Sequence, residues 1–249
     1  MRYRLVIPAW NEAALIGRTI AAARAAMDAL AAHAGELVVV DNNSTDRTAE
    51  IAREAGATVV FEPVNRIASA RNAGARGADA EALVFVDADT RVNPTLLGAA
   101  LDLLAAGRTV GGGSTIAADR PVSGAARAGL EFWNRIGRTL KLAAGCFVYA
   151  RRDAFEAVGG FDERVYAGEE IYLSRALKRW GRARGLDFRV LDVAPIETST
   201  RKLDWYSPAA LARQAAVVFV PGALRSKRLT RTWYDDGGAA GERRGPPPG

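Results

Sequence analysis

The sequence is poor in the residues that form disulfides and histidine-based sites. Among 249 residues there is one cysteine, Cys146, and one histidine, His33. A lone cysteine cannot form a disulfide within the chain, and a lone histidine excludes a zinc site made of several histidines. A Ser-His-Asp triad would have to be built around His33 itself. A zinc site made of several histidines is therefore excluded, and a catalytic triad is possible only at His33.

Long apolar runs and basic runs are also missing. No stretch approaches the roughly 18 to 20 uninterrupted apolar residues of a membrane span. The first residues lead directly into a predicted strand, without the pattern of a signal peptide. The net charge is +6, but only four basic residues are lysines, and the arginines are spread along the chain with no run of five basic residues. We therefore expect a cytoplasmic protein without a nucleic-acid partner.

The glycine motifs that bind phosphates are absent. The loop after the first predicted strand, residues 8–12, is PAWNE, where a dinucleotide-binding dehydrogenase has Gly-x-Gly-x-x-Gly. The glycines at 111–113 do not replace that motif, because Ile116 stands where the third glycine belongs. The glycine-rich basic loop of sugar-nucleotide pyrophosphorylases and the Gly-Lys-Ser/Thr of P-loop proteins are missing as well. These three nucleotide-binding classes are poor fits to the sequence.

The most informative stretch is the apolar run at residues 83–86, which leads into Asp87 and Asp89. The run predicts a buried strand of a parallel sheet. Alternation along a strand would point both carboxylates the same way, at the strand end where open α/β sheets bind ligands. Two such oxygen ligands suit Mg²⁺ or Mn²⁺, particularly a cation shared with a diphosphate. A lone Asp-x-Asp also fits a helix cap or a solvated turn.

Strands and helices alternate through the first 90 residues. The helix after the first strand is expected at 12–32 with Asn11 as its N-cap, and Pro8 is expected to end that strand. Alternation at this spacing predicts an α/β fold with a Rossmann-like, mostly parallel sheet and helices on both faces. Asp41, Asp87 and Asp89 should then gather at one sheet edge. The predicted strands are residues 3–8, 36–41, 58–61 and 83–86.

The second half of the chain is less regular. Residues 108–113 predict a strand running into a glycine turn, and residues 122–143 predict an amphipathic helix. We expect its apolar stripe to pack on the sheet, with a membrane-facing helix as the alternative. A further helix is expected at 208–220, and the tail at 235–249 is expected to be disordered. The stripe consists of Leu130, Trp133, Ile136 and Leu140.

Six short motifs, in order along the chain, resemble those of the family 2 glycosyltransferases, which have the GT-A fold. Each motif alone is weak evidence, but their order and spacing together are specific. The resemblance implies a single domain over residues 1–234, with a nucleotide-sugar-binding half at 1–93 and an acceptor-binding half at 94–234. The matching segments are residues 7–12 (IPAWNE), 39–48 (VVDNNSTDRT), 70–74 (ARNAG), 86–89 (VDAD), 159–163 (GGFDE) and 168–170 (GEE).

The resemblance implies a nucleoside diphosphate sugar as donor, UDP or GDP being favoured, and Mn²⁺ or Mg²⁺ as cofactor. It places Asp41 on the base or ribose, Arg71 on the nucleotide or its phosphates, Asp87 on the ribose or sugar, and Asp89 on the metal, with Asp87 beside it. A carboxylate that accepts from an imide N–H suits uracil or guanine better than adenine. The remaining implied donor-binding residues are Pro8, Ala9, Asn11, Glu12, Asn43 and Ala88.

The resemblance also implies a carboxylate base at the start of the helix that follows the Gly-Gly-Phe turn. Glu170 is the preferred residue and Glu169 the second, although many members have Glu-Asp there. Acids at a helix N-terminus also stabilise the helix, so the pair has a structural explanation too. Some relatives supply a metal-binding histidine late in the chain, and none follows His33 here. Residues 199–202 are a candidate diphosphate contact or an exposed basic loop.

The implied function is sugar transfer to a hydroxyl acceptor, by direct displacement with inversion. The acceptor could be a carbohydrate, a lipid-linked molecule or a small molecule. A nucleotide-sugar or glycan-binding protein without turnover is the alternative, favoured only by the Glu-Glu pair. A peripheral enzyme at the inner membrane surface is a third hypothesis, based on the apolar residues 217–220 and on Arg225, Lys227 and Arg228.

Overall fold

The computed structural model describes residues 1–201, 204 and 223–226. The predicted helix at 208–220, the basic residues Lys227 and Arg228 and the tail at 235–249 lie outside the described residues. The strands are β1 (Arg2–Ala9), β2 (Ala34–Asp41), β3 (Thr58–Phe61), β4 (Ala82–Val86), β5 (Thr90–Arg91), β6 (Thr109–Ala118), β7 (Phe147–Arg151) and β8 (Asp187–Thr198). The helices are α1 (Ile16–Asp28), α2 (Thr48–Glu54), α3 (Ile67–Ala75), α4 (Pro94–Ala105), α5 (Gly124–Leu140), α6 (Arg152–Ala157) and α7 (Glu169–Arg182), with a 3-10 turn at Ala223–Arg225.

Within the described residues the strands form one sheet in the order β3-β2-β1-β4-β7-β6-β8-β5. The first four pair in parallel, as the alternating sequence predicts. Strand β7 is antiparallel to β4 and to β6, and β5 is antiparallel to β8. The other six strands share one direction. The prediction of a mostly parallel sheet is therefore confirmed.

The core lies on both faces of this sheet. Leu5 and Ile7 of β1 face one apolar cluster, which α1 and α4 cover, whereas Val6 faces the other. The second cluster contains Val6 with buried residues of α3, α6 and α7. Because strand side chains alternate, each central strand supplies apolar residues to both clusters. Helices on both faces are thus confirmed.

The first loop differs from its prediction. Pro8 lies inside β1, opposite Val40 of β2, whereas pairing with β4 stops at Val6. A proline is tolerated here because the strand has lost one of its two partners. Asn11 does not cap α1, which begins at Ile16 after a turn. It has a φ of +52° and accepts a hydrogen bond from the backbone of Thr45 instead.

The glycines at 111–113 lie within β6 and do not form a turn. A Cβ atom on Gly112 would collide with the carbonyl oxygen of Arg189 on β8 and with the Tyr149 ring on β7. A Cβ atom on Gly113 would lie 2.7 Å from Ala143 Cα. The missing side chains therefore allow the neighbouring strands and the segment before β7 to pack against β6.

Helix α5 does not pack on the sheet through its apolar stripe, and none of its 17 residues is buried. Its contact with the sheet is polar. The side-chain amide of Asn134 donates to the Ile116 carbonyl and accepts from the Ile116 N–H, both at 2.9 Å, and Arg138 pairs with Asp192 of β8. Periodicity predicted the helix and its stripe, but no residue of the stripe is buried, and polar side chains make the contact with the sheet.

Among the described residues, no helix combines the length and the apolar character needed to cross a bilayer.

We predict that Gly112→Ala destabilises the protein, because the new methyl group has no space between β6 and β8. The expected loss is about 3 kcal/mol of unfolding free energy, measured by urea denaturation. Gly129→Ala is the matched control, because its methyl group meets nothing within 4 Å. This control should stabilise by about 0.5 to 1 kcal/mol through helix propensity. Equal stability of the two variants would contradict the packing described for β6.

Candidate active site

A cavity of about 380 Å³ opens at the carboxyl ends of β1 and β4. This is the position where open α/β sheets bind ligands. Six of the residues expected to bind the donor line it, and they come from the end of β1, the loop after it and the turn after β4. They are Pro8, Ala9, Glu12, Asp87, Ala88 and Asp89.

The loop after β1 is held by the loop after β2. Asn11 accepts from the Thr45 N–H at 2.8 Å and its own N–H donates to the Ser44 hydroxyl. Asn11 therefore fixes the loop and is not among the residues that line the cavity. Trp10, its neighbour, does line the cavity. Sequence reasoning passed over Trp10, although a large aromatic residue in a binding loop is a usable signal.

Asp41 ends β2 as expected, and it is 7% exposed. One of its carboxylate oxygens accepts from the Ser44 N–H at 3.0 Å. Asn43 is exposed in the following turn, with a φ of +64°. Neither residue is among those lining the cavity, whereas Asn42 between them is. The sequence pointed to this segment, but it did not single out Asn42, the residue of the segment that lines the cavity.

Asp87 and Asp89 follow β4 in a turn closed by the Thr90 N–H donating to the Asp87 carbonyl. The expected explanation, alternation along a strand, is therefore wrong, since β4 ends at Val86. Both carboxylates nevertheless line the same cavity. The turn therefore places Asp87 and Asp89 at one site, as strand alternation was expected to do.

Arg71 lies on α3 and is 1% exposed. It does not line the cavity. Its guanidinium donates to Asp87 at 2.6 Å, to the Gly145 carbonyl at 2.7 Å, and to Glu169. Burial opposes the charge of Arg71, but the surrounding carboxylates outweigh it and raise the pKa of the guanidinium. Arg71 thus stays charged and joins the turn after β4 to the start of α7.

Close packing of α3 makes this reach possible. A Cβ atom on Gly74 would lie within 2.8 Å of Val40 and would collide with Val6. The glycine therefore lets α3 approach the sheet closely. The same helix is fixed to the Gly-Gly-Phe turn by Asn72, which donates to the Phe161 carbonyl and accepts from the Phe161 N–H, both at 2.9 Å.

Glu169 and Glu170 open α7 after Gly168, whose φ is +70°. Glu169 is buried and holds Arg71. Glu170 is partly buried, and a Cβ atom on Gly145 would lie 3.6 Å from its carboxyl carbon. Burial, and next the charge of Glu169, raise the pKa of Glu170 from its ordinary value of 4.5 to about 8. Burial also raises the pKa of Glu169, and Arg71 opposes that rise.

Arg201 reaches the cavity because β8 pairs with β5 directly after Asp89, Thr198 opposite Thr90. Its guanidinium binds both carboxylate oxygens of Glu12 and lies 3.5 Å from Asp89. Burial opposes its charge, but Glu12 and then Asp89 raise the pKa of Arg201. The candidate segment 199–202 thus includes one cavity residue that the structure describes. Lys202 lies outside the described residues.

Arg66 and Tyr166 complete another wall of the cavity. The guanidinium lies 4.5 Å from the centre of the Tyr166 ring and donates to the tyrosine hydroxyl at 3.0 Å. It also donates to the Glu163 carbonyl. No sequence signal distinguished this pair, because the two residues are 100 positions apart and both lie outside the six motifs.

Among the described residues, no group of three or more His, Cys, Asp or Glu side chains could hold a metal ion. Asp87 and Asp89 alone suit a hard cation whose remaining ligands are phosphate oxygens and water, as Mg²⁺ is often bound. One Asp87 oxygen is already held by Arg71. The residues therefore fit a cation brought in with a diphosphate and do not form a complete metal cage.

Comparison with known proteins gives the family and the relatives of the chain. The family model "Glycosyl transferase family 2" matches residues 5–159. Validoxylamine A glucosyltransferase of Streptomyces hygroscopicus is 38% identical over 96 residues, which are 36% of this chain and 22% of the relative. An uncharacterized glycosyltransferase of Mycobacterium tuberculosis is 40% identical over 85 residues, 34% of this chain and 35% of the relative. The chain thus spans only a fifth to a third of these relatives.

Solved structures show the same fold. The mannosyltransferase PcManGT of Pyrobaculum calidifontis, solved with GDP-Man and Mn²⁺, has a TM-score of 0.66 at 22% identity, covering 90% of this chain and 64% of its own. The glucosyl-3-phosphoglycerate synthase of Mycobacterium tuberculosis, solved with Mn²⁺, UDP and glucosyl-3-phosphoglycerate, has a TM-score of 0.59 at 24% identity, covering 87% and 78%. The fold is the GT-A fold that the sequence predicted.

We predict that Glu170→Gln changes how stability depends on pH. Between its ordinary pKa of 4.5 and the folded value of about 8, Glu170 holds a proton in the native protein that the unfolded chain has released. Wild-type stability should therefore fall as pH rises through this window, and this contribution should vanish in the variant. Urea midpoints measured below and above the window test this.

Glu156→Gln, at an exposed carboxylate on α6, is the control for this measurement. Its urea midpoints should follow those of the wild type at every pH. If Glu170→Gln also follows the wild type throughout, Glu170 does not carry the raised pKa.

Proposed function

The chain belongs to glycosyl transferase family 2, and on this premise we propose that it moves a sugar from a nucleoside diphosphate to an acceptor hydroxyl. One observation carries the proposal. The buried Arg71 joins Asp87, in the wall of the donor-sized cavity, to α7, whose second residue Glu170 is a partly buried carboxylate with a raised pKa. A ligand site for a diphosphate and a candidate base are thus held next to each other.

The donor would lie in the cavity, with its nucleoside against the loop after β1 and its diphosphate toward Asp89. Pro8 and Ala9 at the end of β1, and Trp10 directly after it, supply this surface. Arg201, 3.5 Å from Asp89, supplies a positive charge for the diphosphate. A base contact from Asp41, which favours uracil or guanine, stays a prediction. The two structural neighbours bound to UDP and to GDP-Man support this donor class.

Mn²⁺ or Mg²⁺ would be held by Asp89 with help from Asp87. When bound, the cation would neutralise negative charge that develops on the departing diphosphate. The protein contributes the orientation of the two carboxylates, because Arg71 fixes Asp87 from behind and the turn after β4 fixes Asp89. Neighbours solved with Mn²⁺ support this cofactor.

Glu170 would act as the base. The acceptor oxygen would form a bond to the anomeric carbon, its proton would pass to Glu170, and the bond from that carbon to the diphosphate oxygen would break. One direct displacement of this kind inverts the anomeric centre. A pKa near 8 suits a general base working close to neutral pH. Glu169 is a weaker candidate, because Arg71 holds it in the interior.

This arrangement supports the expected division of the domain. Residues 1–93 supply most of the cavity lining, whereas Tyr166 and Arg201 come from the later half. Glu170 also belongs to the later half but is not among the lining residues. Acceptor recognition would then belong to residues 94–234. The described part of that half contains no motif that selects among carbohydrate, lipid-linked and small-molecule acceptors. A cytoplasmic location likewise stays a prediction.

We predict that UDP or GDP with Mn²⁺ raises the melting temperature of the wild type, because a ligand that binds only the native state stabilises it. A thermal-shift panel of UDP, GDP, dTDP, CDP and ADP, each with Mn²⁺, Mg²⁺ or EDTA, is the measurement. Asp89→Ala should lose the shift. Asp79→Ala, at a highly exposed carboxylate, should keep it. Absence of any nucleotide shift in the wild type would contradict the donor site.

A hydrolysis assay distinguishes an enzyme from a binding protein. Its substrate is a sugar ester of the nucleoside diphosphate that stabilises the wild type. Glu170→Gln should keep the nucleotide-dependent shift in melting temperature but slow hydrolysis by roughly 10²- to 10⁴-fold, since only the base is lost. Unchanged hydrolysis would remove Glu170 as base. A nucleotide-dependent shift without hydrolysis or transfer in the wild type would favour the alternative, a nucleotide-sugar-binding protein without turnover.

A further inference from the structure

The two sides of α5 differ sharply. Asn134 and Arg138, four residues apart, share the side that contacts β6 and β8. Phe132, Ile136 and Leu140 are offset from them by two residues, about 200° around the helix, and so lie on the opposite side. Phe132 is 63% exposed and Leu140 is 52% exposed. The described residues leave this apolar side open to the surroundings.

Basic residues outnumber acidic ones on α5, although Arg138 lies on the side that pairs with Asp192. Glu131 is the sole acid of α5, against Arg127, Arg135 and Arg138, and Lys141 follows its end. This combination of a strongly apolar side, basic residues and low overall hydrophobicity is typical of helices that lie in a membrane interface.

Helix α7 extends the positive charge. It touches the end of α5, where Lys178 donates to the Leu140 carbonyl at 2.7 Å. Beyond Glu170 the helix has no acidic residue, and Arg175, Arg179 and Arg182 are all exposed. Burial and then Arg175, Lys141 and Arg182 lower the pKa of Lys178, which reflects the density of positive charge beside α5.

We propose that the apolar side of α5, together with the basic surface of α7, binds the surface of an anionic lipid bilayer. Charge selects this occupant, because clustered basic residues next to an apolar helix side match acidic headgroups over an acyl layer. Most of the segment 217–228 considered from the sequence lies outside the described residues, whereas the proposed contact lies at α5. It is independent of the proposed function, since neither donor nor turnover is needed for it.

The position of α5 relates this surface to the site. The segment from Lys141 to Cys146 follows α5 and includes Gly145, which lies beside Arg71 and Glu170. It is fixed by the Ala143 N–H, which donates to the buried Ser174 hydroxyl of α7. This segment therefore connects the proposed membrane surface to Gly145, which lies beside Glu170.

Vesicle flotation of the full chain tests the proposal. The wild type should float with vesicles of phosphatidylcholine and phosphatidylglycerol and much less with phosphatidylcholine alone. The double variant Phe132→Ser and Leu140→Ser should bind at least about tenfold more weakly, because both apolar contacts are lost. Arg175→Glu should weaken binding by roughly fivefold or more. Both sites are exposed, so the variants should fold, and thermal melts check this.

Two matched controls accompany these variants. Phe61→Ser changes a phenylalanine that is 59% exposed at the far edge of the sheet, and Arg53→Glu reverses an exposed charge on α2. Both should float like the wild type. Three results would overturn the proposal: no flotation of the wild type, flotation unchanged in the α5 variants, or a dimer in sedimentation that the α5 variants dissociate, which would assign the face to a second copy.

Discussion

The site depends on one buried positive charge that three carboxyl groups share. Arg71 binds Asp87 and Glu169 directly, and Glu170 lies beside the same loop at Gly145. One guanidinium cannot balance three neighbouring carboxylates, so burial and next the charge of Glu169 raise the pKa of Glu170. Arg71 thus orients Asp87 toward the cavity, and its charge lowers the pKa of Glu170 without cancelling the larger effects of burial and Glu169.

A second ion pair closes the other side of the cavity. Arg201 follows β8 and binds Glu12 in the loop after β1, 189 residues earlier. The pairing of β8 with β5 makes this possible, because β5 begins immediately after Asp89. The two arginines contact different aspartates: Arg71 binds Asp87 from the interior, and Arg201 lies near Asp89 on the cavity side. Positive charge therefore flanks the turn after β4 on its interior side and on its cavity side.

Local pattern was enough to predict the alternating first half, the sheet, and the placement of Asp87 and Asp89 at its edge. These features follow from short apolar runs and from the geometry of parallel strands. The partner of Arg71 could not be predicted from spacing, since Glu169 lies 98 residues away. The prediction that α5 packs on the sheet through its apolar stripe was wrong for a related reason. Periodicity defines an apolar stripe, but the polar contacts of Asn134 with Ile116 decide which side meets the sheet.

The most direct test of this account is the stability of Arg71→Met, measured by urea denaturation across a range of pH. Methionine keeps much of the volume but leaves the buried Glu169 and the partly exposed Asp87 without their cation. The account predicts a loss of about 3 to 5 kcal/mol near neutral pH, diminishing at acidic pH as the carboxyl groups become protonated. A loss below about 1 kcal/mol, typical of an exposed ion pair, and independent of pH would contradict the central role of Arg71.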